Sequence, residues 1–365
     1  MKDLCFIDKI GPYYRESIYT LLAENLNCEF FFSDINTSIK LLDFKDLKGF
    51  RKNFRHIKIF RNFYWLRGAI KEAALYKKAI LCGDPHALHI WFILLFGKLT
   101  GRKVYLWTHG SYGNDNFVKR TLKKILFGLA EKSFIYGKYG EKSLIEIGIP
   151  ARKLRVIYNS LDYDKQLEIR RNLARSDIYK KKFGNSDPVL FFIGRITKVK
   201  RLDLVVELIA ELVKRGKPCN LAIIGKDGEN VNLEAIAAKH NLQNRLWLYG
   251  PSYDEIEIAN LIHNADLCVS PGNIGLTAMH VMAFGCPAIT HDSRSLQMPE
   301  FEAIKEGLTG GFFKKDDLAD MADCAEKWLA RINENRGAIA QNCYAEIDSL
   351  WNPHHQIKIF EEELK

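Results

Sequence analysis

The stretch at residues 265–290, ADLCVSPGNIGLTAMHVMAFGCPAIT, leaves few choices of fold. Residues 266–270 are a short apolar run closed by Ser-Pro-Gly, the pattern of a buried strand ending in a turn. Gly275 opens a ten-residue helical pattern that Gly285 and Pro287 stop, and residues 288–290 begin another strand. A strand, a glycine turn and a helix start form a crossover of a parallel sheet. They also form an anion site, because the N–H groups of Gly275, Leu276 and Thr277 would point out of the helix along its dipole. On this stretch alone both readings stand.

The same alternation runs through the chain. Strand patterns at 4–10, 28–34, 79–82, 103–110 and 133–137 alternate with helical ones at 14–26, 87–100, 118–129 and 142–147. After a charged helical connector at 167–184, a fresh series begins with PVLFFIGR at 188–195 and continues through NLAIIG, RLWLYG and the stretch above. Two further helices close the chain. Alternation of this kind predicts two α/β domains built on parallel sheets, with ligands at the C-terminal ends of the strands. The length of 365 residues suits two such domains.

No run reaches the ~18 to 20 apolar residues that a spanning helix needs. The N-terminus carries acids within its apolar run and reads as a first strand rather than a signal peptide. The eight cysteines stand singly, which suggests reduced thiols packed in the core of a cytoplasmic protein. Charge is uneven. Residues 1–165 hold 29 Lys and Arg against 16 Asp and Glu, and residues 166–365 hold 25 against 28, giving +13 and −3 of the net +10. A basic first half implies an anionic partner: nucleic acid, an anionic membrane surface or a pyrophosphate-bearing substrate.

FIGRITKVKRL at 192–202 ends a strand in Gly194-Arg195 and reaches Lys200 just before the next helix. Arg195 and Lys200 lie five apart across a short loop, so both cations can converge on one phosphate group, or form a basic surface turn. Taken with the Gly-rich helix start about 75 residues on, this segment resembles the retaining GT-B glycosyltransferases of glycosyltransferase family 4, of the bacterial envelope-polysaccharide type. LAIIGKDGEN and LWLYG resemble that family's middle strands. EFEAIKEGLTGGFF resembles its downstream Pro-Glu…Gly-x-Thr-Gly element, with Phe301 in the Pro place and Glu302 in the Glu place. In the first half, LWTHGSYG resembles its His-bearing loop, VIYNSLD its interdomain Asn-x-x-Asp, and Gly11-Pro12-Tyr13-Tyr14-Arg15 a Pro-Tyr-Arg variant of its first loop.

The resemblance implies two Rossmann-like domains facing a cleft. Residues 1–165 would take the acceptor, residues 166–345 the donor, and residues 346–365 would form a C-terminal helix crossing back to the first domain. Arg195 and Lys200 would bind the donor diphosphate and His109 would face the donor sugar, these three being the catalytic group. Gly194, Gly250, Gly272, Asn273, Gly275, Leu276, Thr277, His280 and Glu302 would line the donor site, and Gly11, Pro12, Tyr13, Arg15 and Tyr112 the acceptor side. The first-loop residues read equally as a turn capping a helix.

One departure stands out. The family's two glutamates, eight positions apart, fall here on Gly272 and His280. Thr277 and His280, three apart on one helical face, can still hydrogen-bond hydroxyls. His280 is thus either a ribose partner or a satisfied, partly buried histidine. His86 and His89 lack a third ligand, and Asp162-Tyr163-Asp164 sits in the linker, so no metal and no other cofactor is expected. The expected function is retaining, metal-independent transfer of a sugar, most simply from a UDP-sugar, to a glycan or lipid-linked acceptor in bacterial surface-polysaccharide synthesis. A degenerate subunit that binds nucleotide sugar without turnover is the alternative. No zinc, helix-turn-helix or RNA-recognition motif supports nucleic acid as partner. Residues 45–78, where bases interleave with aromatics, read as a segment lying on the cytoplasmic face of an anionic membrane or as a solvated basic helix.

Overall fold

The computed structural model describes residues 1–37, 39–113 and 115–365. They form two compact units: Met1–Asp162 with Asn352–Lys365, and Tyr163–Trp351.

The first unit is built on β1 (Lys2–Ile7), β2 (Glu29–Ser33), β3 (Phe50–Phe60), β4 (Phe63–Arg67), β5 (Tyr76–Cys82), β6 (Lys103–Thr108), β7 (Ser133–Ile135) and β8 (Leu154–Val156). Their order is β4-β3-β2-β1-β5-β6-β7-β8, parallel throughout except between β3 and β4. Central strands such as β1 and β2 read as continuous apolar runs because both faces are covered. On one face the helix Glu16–Leu26 and the C-terminal helix Pro353–Leu364 close over Phe6, Phe30, Phe32, Tyr105 and Phe134. On the other, the helices Leu88–Thr100, Phe117–Leu129 and Lys138–Glu146 cover Ile7, Leu81, Leu106 and Ile135.

The return to the first unit begins later than the sequence suggests. Position 346 lies inside the long helix Leu318–Leu350, and the chain turns at Trp351. There Asn352 caps the last helix by accepting the His355 N–H at 2.9 Å, and Pro353 fills the first turn, where its missing N–H costs nothing.

The basic, aromatic segment is also a correction. Residues 50–67 are not a basic helix but the β-hairpin β3–β4, and Ala69–Ala73 alone of the segment is helical. Residues 50–54 pair with β2 and residues 55–60 fold back on β4 through Arg61, whose φ is 50°. Its aromatics are largely spent on the fold. Phe54 stacks on Phe31 at 5.4 Å, Phe50 stacks on Phe44 at 4.9 Å, and Tyr64 is buried. Arg51 and Lys52 are paired with Glu29 and Glu72. The sequence misleads here because one face of the hairpin is solvated and its charges interrupt the strand pattern.

The second unit is a six-stranded, wholly parallel sheet: β9 (Val189–Ile193), β10 (Asn220–Ile224), β11 (Leu246–Gly250), β12 (Leu267–Ser270), β13 (Ala288–His291) and β14 (Gly310–Phe313), in the order β11-β10-β9-β12-β13-β14. β14 has no clear sequence signature because it opens on two glycines. Gly310 is needed, since a Cβ there would stand 1.8 Å from the Ala288 carbonyl oxygen. In each sheet the strand order reverses next to the first strand, at β1/β5 and at β9/β12. These are the places where an open α/β sheet leaves a crevice for a ligand.

His89 is buried in the first unit, where its Nδ1 accepts the Leu66 N–H at 3.4 Å. Burial pushes its pKa down to about 4. The unfolded chain binds a proton that the folded chain refuses, so stability should fall as pH drops from about 6.5 towards 4. Thermal unfolding followed through that window should show the loss, and His89→Asn, which keeps an acceptor, should make the decline shallower. An unchanged decline would place the acid sensitivity elsewhere.

Candidate functional site

The loops after β9 and β12 meet at the switch point of the second sheet, and most of the predicted donor residues lie on them. β9 is followed by Gly194, whose φ of 146° favours glycine, and its carbonyl lies so close to the end of β10 that a Cβ on Gly225 would stand 1.9 Å from the Gly194 oxygen. Arg195 follows, exposed, with no hydrogen bond or ion pair among the described residues. One tight turn, Lys198–Lys200, then leads into the helix Leu202–Lys214 through Arg201 at φ 50°.

Lys200 joins the two loops. Its Nζ donates to the carbonyl oxygen of Asn273 at 2.5 Å and to Asn273 Oδ1 at 2.8 Å, while its own carbonyl accepts the Gly272 N–H at 3.0 Å. Burial lowers its pKa to about 8, with Arg195 acting in the same direction and Glu300 opposing. The ammonium is therefore held where a further anion would be welcome.

Gly275 starts the helix Leu276–Ala283 at φ 58°, ψ −149°, a conformation only glycine adopts readily, and no side chain among the described residues caps that helix. Leu276 and Thr277 form its first turn. The Thr277 hydroxyl donates inward to the Ile193 carbonyl at 2.7 Å, so it braces the helix against β9 instead of facing outward as the sequence suggests. Behind the loop, buried Gln297 accepts the Ile274 N–H at 2.9 Å and donates to Thr290 at 2.8 Å. Gly250 ends the edge strand β11, two strands from β9, and its carbonyl accepts the Gly225 N–H.

His280 has a protein partner that the sequence did not reveal. Its Nε2 lies 2.9 Å from Glu255 Oε1, on the helix Glu255–Asn264, and Gln166 donates to the same oxygen at 2.9 Å. Burial raises the Glu255 pKa, but His280 and Gln166 outweigh it and hold the carboxyl below its usual range. Glu302 is half-buried, with its carbonyl taken by Lys305. The carboxylate that acts on Lys200 is Glu300 instead, buried in the adjoining turn. Pro299-Glu300 was the signal for it, obscured by a second glutamate two positions on.

In the first unit, the ends of β1, β6 and β7 bring together Asp8, His109 and Tyr136 around Arg15. Arg15 is turned inward. It donates to the Tyr136 hydroxyl, lies 3.8 Å from Asp8, and sits over the Trp107 ring at 5.0 Å. His109 packs edge-on to Tyr136 at 4.9 Å, with Nδ1 3.0 Å from the Tyr112 hydroxyl. Burial first, and then Arg15, push its pKa down to about 4, so the imidazole is neutral at ordinary pH. Gly11 is required by packing, since a Cβ would stand 2.6 Å from the Phe44 ring. Pro12 bridges to Leu41, and Tyr13 is exposed beneath Lys40 at 4.4 Å. Of the first-loop residues, Tyr13 alone is turned to solvent, and Arg15 serves the interior of its unit.

Residues 175–345 match the family described as glycosyl transferases group 1. The match lies wholly within the second unit. The chain is 26% identical to the alpha-D-kanosaminyltransferase of Streptomyces kanamyceticus over 186 residues, half of this chain and 46% of that protein, so it spans less than half that relative's length. It is also 26% identical over 278 residues to an uncharacterized 41.2 kDa protein in the cps region of Klebsiella pneumoniae, covering 74% of this chain and 68% of that one. Across its whole length the fold matches Anabaena Alr3699/HepE, solved in complex with UDP, at a TM-score of 0.76 and 14% identity over 100% and 99% of the two chains. The lipopolysaccharide outer core galactosyltransferase WaaB gives 0.70 and 16% over 99% and 98%. The architecture is thus GT-B: two α/β units and a C-terminal helix belonging to the first.

Within the second unit the structure explains the missing carboxylate at 272. A Cβ on Gly272 would stand 2.0 Å from the Val199 oxygen and 2.7 Å from the Lys200 Cα. Gly272→Glu should therefore restore nothing. It should lower stability by about 1 to 3 kcal/mol, as overpacking does, and weaken nucleoside diphosphate binding by parting the two loops. Thermal unfolding and titration calorimetry check this; a variant as stable as wild type with tighter binding would contradict it.

Proposed function

We propose that this chain transfers a sugar from a UDP-sugar to a hydroxyl of a glycan or lipid-linked saccharide, with retention of anomeric configuration, in the making of bacterial surface polysaccharide. The observation that carries the reading is the meeting of Lys200, exposed Arg195 and an uncapped helix start at the β9/β12 switch point. Two cations and a row of helix N–H groups suit a diphosphate, and they stabilise the charge that grows on it as the glycosidic bond breaks. The Anabaena neighbour solved with UDP and the Klebsiella relative from a cps region support the donor and the pathway.

In this reading Arg195 binds phosphate oxygens in bidentate fashion and Lys200 acts as a point charge held by Asn273. His280, fixed by Glu255, takes the ribose in place of the family glutamate. Neutral His109 serves the transferred sugar, and the first unit, with Tyr13 and Tyr112, receives the acceptor. The acceptor proton passes to a phosphate oxygen of the leaving group. No metal is required. The basic first unit works against the anionic cytoplasmic face of a membrane, where lipid-linked acceptors reside.

Arg195→Ala and Lys200→Ala should each lower kcat/KM by about 2 to 4 kcal/mol, roughly 30- to 1,000-fold, as deletion of a charge-stabilising donor does. Activity should survive EDTA, and proton NMR of fresh product should show the donor's anomeric configuration. Wild-type turnover in both alanine variants would remove the diphosphate assignment, and inversion would remove the mechanism. UDP binding without transfer from any donor would leave the degenerate subunit.

A further inference from the structure

Two neighbouring helices of the first unit carry apolar side chains that the fold leaves largely exposed, with Phe92 meeting Trp65 edge-on at 5.5 Å. The helix Leu88–Thr100 buries Ile90, Ile93 and Leu94, and turns Phe92, Leu95 and Leu99 outward at the three- and four-residue spacing of a single stripe. The helix Phe117–Leu129, packed beside it, buries only Leu126 and Phe127 and turns Val118, Leu122 and Ile125 outward at the same spacing. These six are between 42% and 78% exposed. Scattered exposed leucines need no explanation, but two aligned stripes on adjacent helices form a patch, and a patch marks a surface that is covered in use.

The charges around it say by what. The second helix reads FVKRTLKKILFGL, four bases and no acid, and the first adds Lys98 with no acid. Lys123 is paired with Asp115, whereas Lys98, Lys119, Arg120 and Lys124 make no ion pair among the described residues. The second helix does not lean on a partner for its start, since Asn116 Oδ1 accepts the Lys119 N–H at 3.0 Å. An amphipathic helix whose apolar stripe faces out beside unpaired bases has the pattern of one that lies in a bilayer interface. A second copy of the chain fits poorly, because its own lysines and Arg120 would face these.

We infer that the outward faces of Leu88–Thr100 and Phe117–Leu129 dock the first unit on an anionic lipid bilayer, the stripes entering the interface and the bases meeting lipid phosphates. The inference rests on the membrane attachment proposed above and gives it a surface other than the β3–β4 hairpin. Attachment by insertion together with charge differs from charge alone in its salt response. High salt removes the electrostatic part and leaves a residue that the apolar side chains sustain.

The test is co-sedimentation of the full chain with vesicles of phosphatidylglycerol and phosphatidylcholine, and with phosphatidylcholine alone. Wild type should bind the anionic vesicles. A Leu122→Glu, Ile125→Glu double variant should bind at least tenfold more weakly, with an unchanged melting temperature because both positions are exposed. Lys119→Gln with Arg120→Gln should weaken binding at low salt and lessen its salt dependence. Arg55→Gln with Lys58→Gln, on the hairpin, should bind as wild type does. Loss in the hairpin variant with full binding by the glutamate variant would keep attachment and overturn this surface. No binding to anionic vesicles at low salt would overturn both, as would a wild-type dimer that the glutamate variant turns into monomer. UDP titration of the same samples keeps the donor-site reading separate, since these variants should bind it as wild type does.

Discussion

Lys200 Nζ, shared between the carbonyl and side-chain oxygens of Asn273, holds the loop after β9 to the loop after β12, and the second unit's chemistry depends on that tie. The approach is close enough to require glycine at 272. It also sets the direction in which the helix Leu276–Ala283 presents its first turn. Thr277 braces that helix against β9 and Gln297 fixes the loop from behind, so the cation and the helix start are placed before any ligand arrives. Such preorganisation is where electrostatic catalysis gains most, because nothing needs to reorient as charge develops. Burial that costs the ammonium its proton more readily is the other side of the same arrangement.

The first unit follows a similar rule with a different group. A buried arginine among Asp8, Tyr136 and Trp107 fills the end of its sheet. Charges are seldom buried without partners, and this one is matched by a carboxylate, a phenol and ring faces. Its field falls on His109 and, with burial, keeps that ring neutral. The Pro-Tyr-Arg loop therefore acts on the histidine through the interior, and Tyr13 is its outward member.

Most of the architecture was legible in the sequence because buried parallel strands are apolar on both faces and helices between them are periodic. The stretch around Ser270 to Ala288 shows this: the strand, the Gly275 helix start and the next strand fall within a residue or two of where the pattern puts them. What failed did so for local physical reasons. The hairpin of β3 and β4 has a solvated face whose charges hide its alternation. β14 opens on Gly310 and Gly311, which carry no side chain to form a pattern. In the site, the convergence of Arg195 and Lys200 could be read from spacing, whereas Gly275 joined them only through the family resemblance. The pairing of His280 with Glu255 could not, since those residues lie on separate helices that only the folded sheet brings together. Nor could the inward turn of Arg15.

The central claim is that Lys200 meets a diphosphate with its charge. Its pKa in the free protein is about 8, so near pH 8.5 most of the population has lost the proton, and an arriving diphosphate should restore it. Calorimetric titration with UDP in buffers of different ionisation enthalpy reads this directly, because the diphosphate of UDP is fully ionised there. The account predicts net proton uptake on binding near pH 8.5, shrinking towards zero near pH 7, and absent in Lys200→Arg, whose guanidinium stays charged. Binding without proton uptake, or uptake that persists in Lys200→Arg, would contradict it.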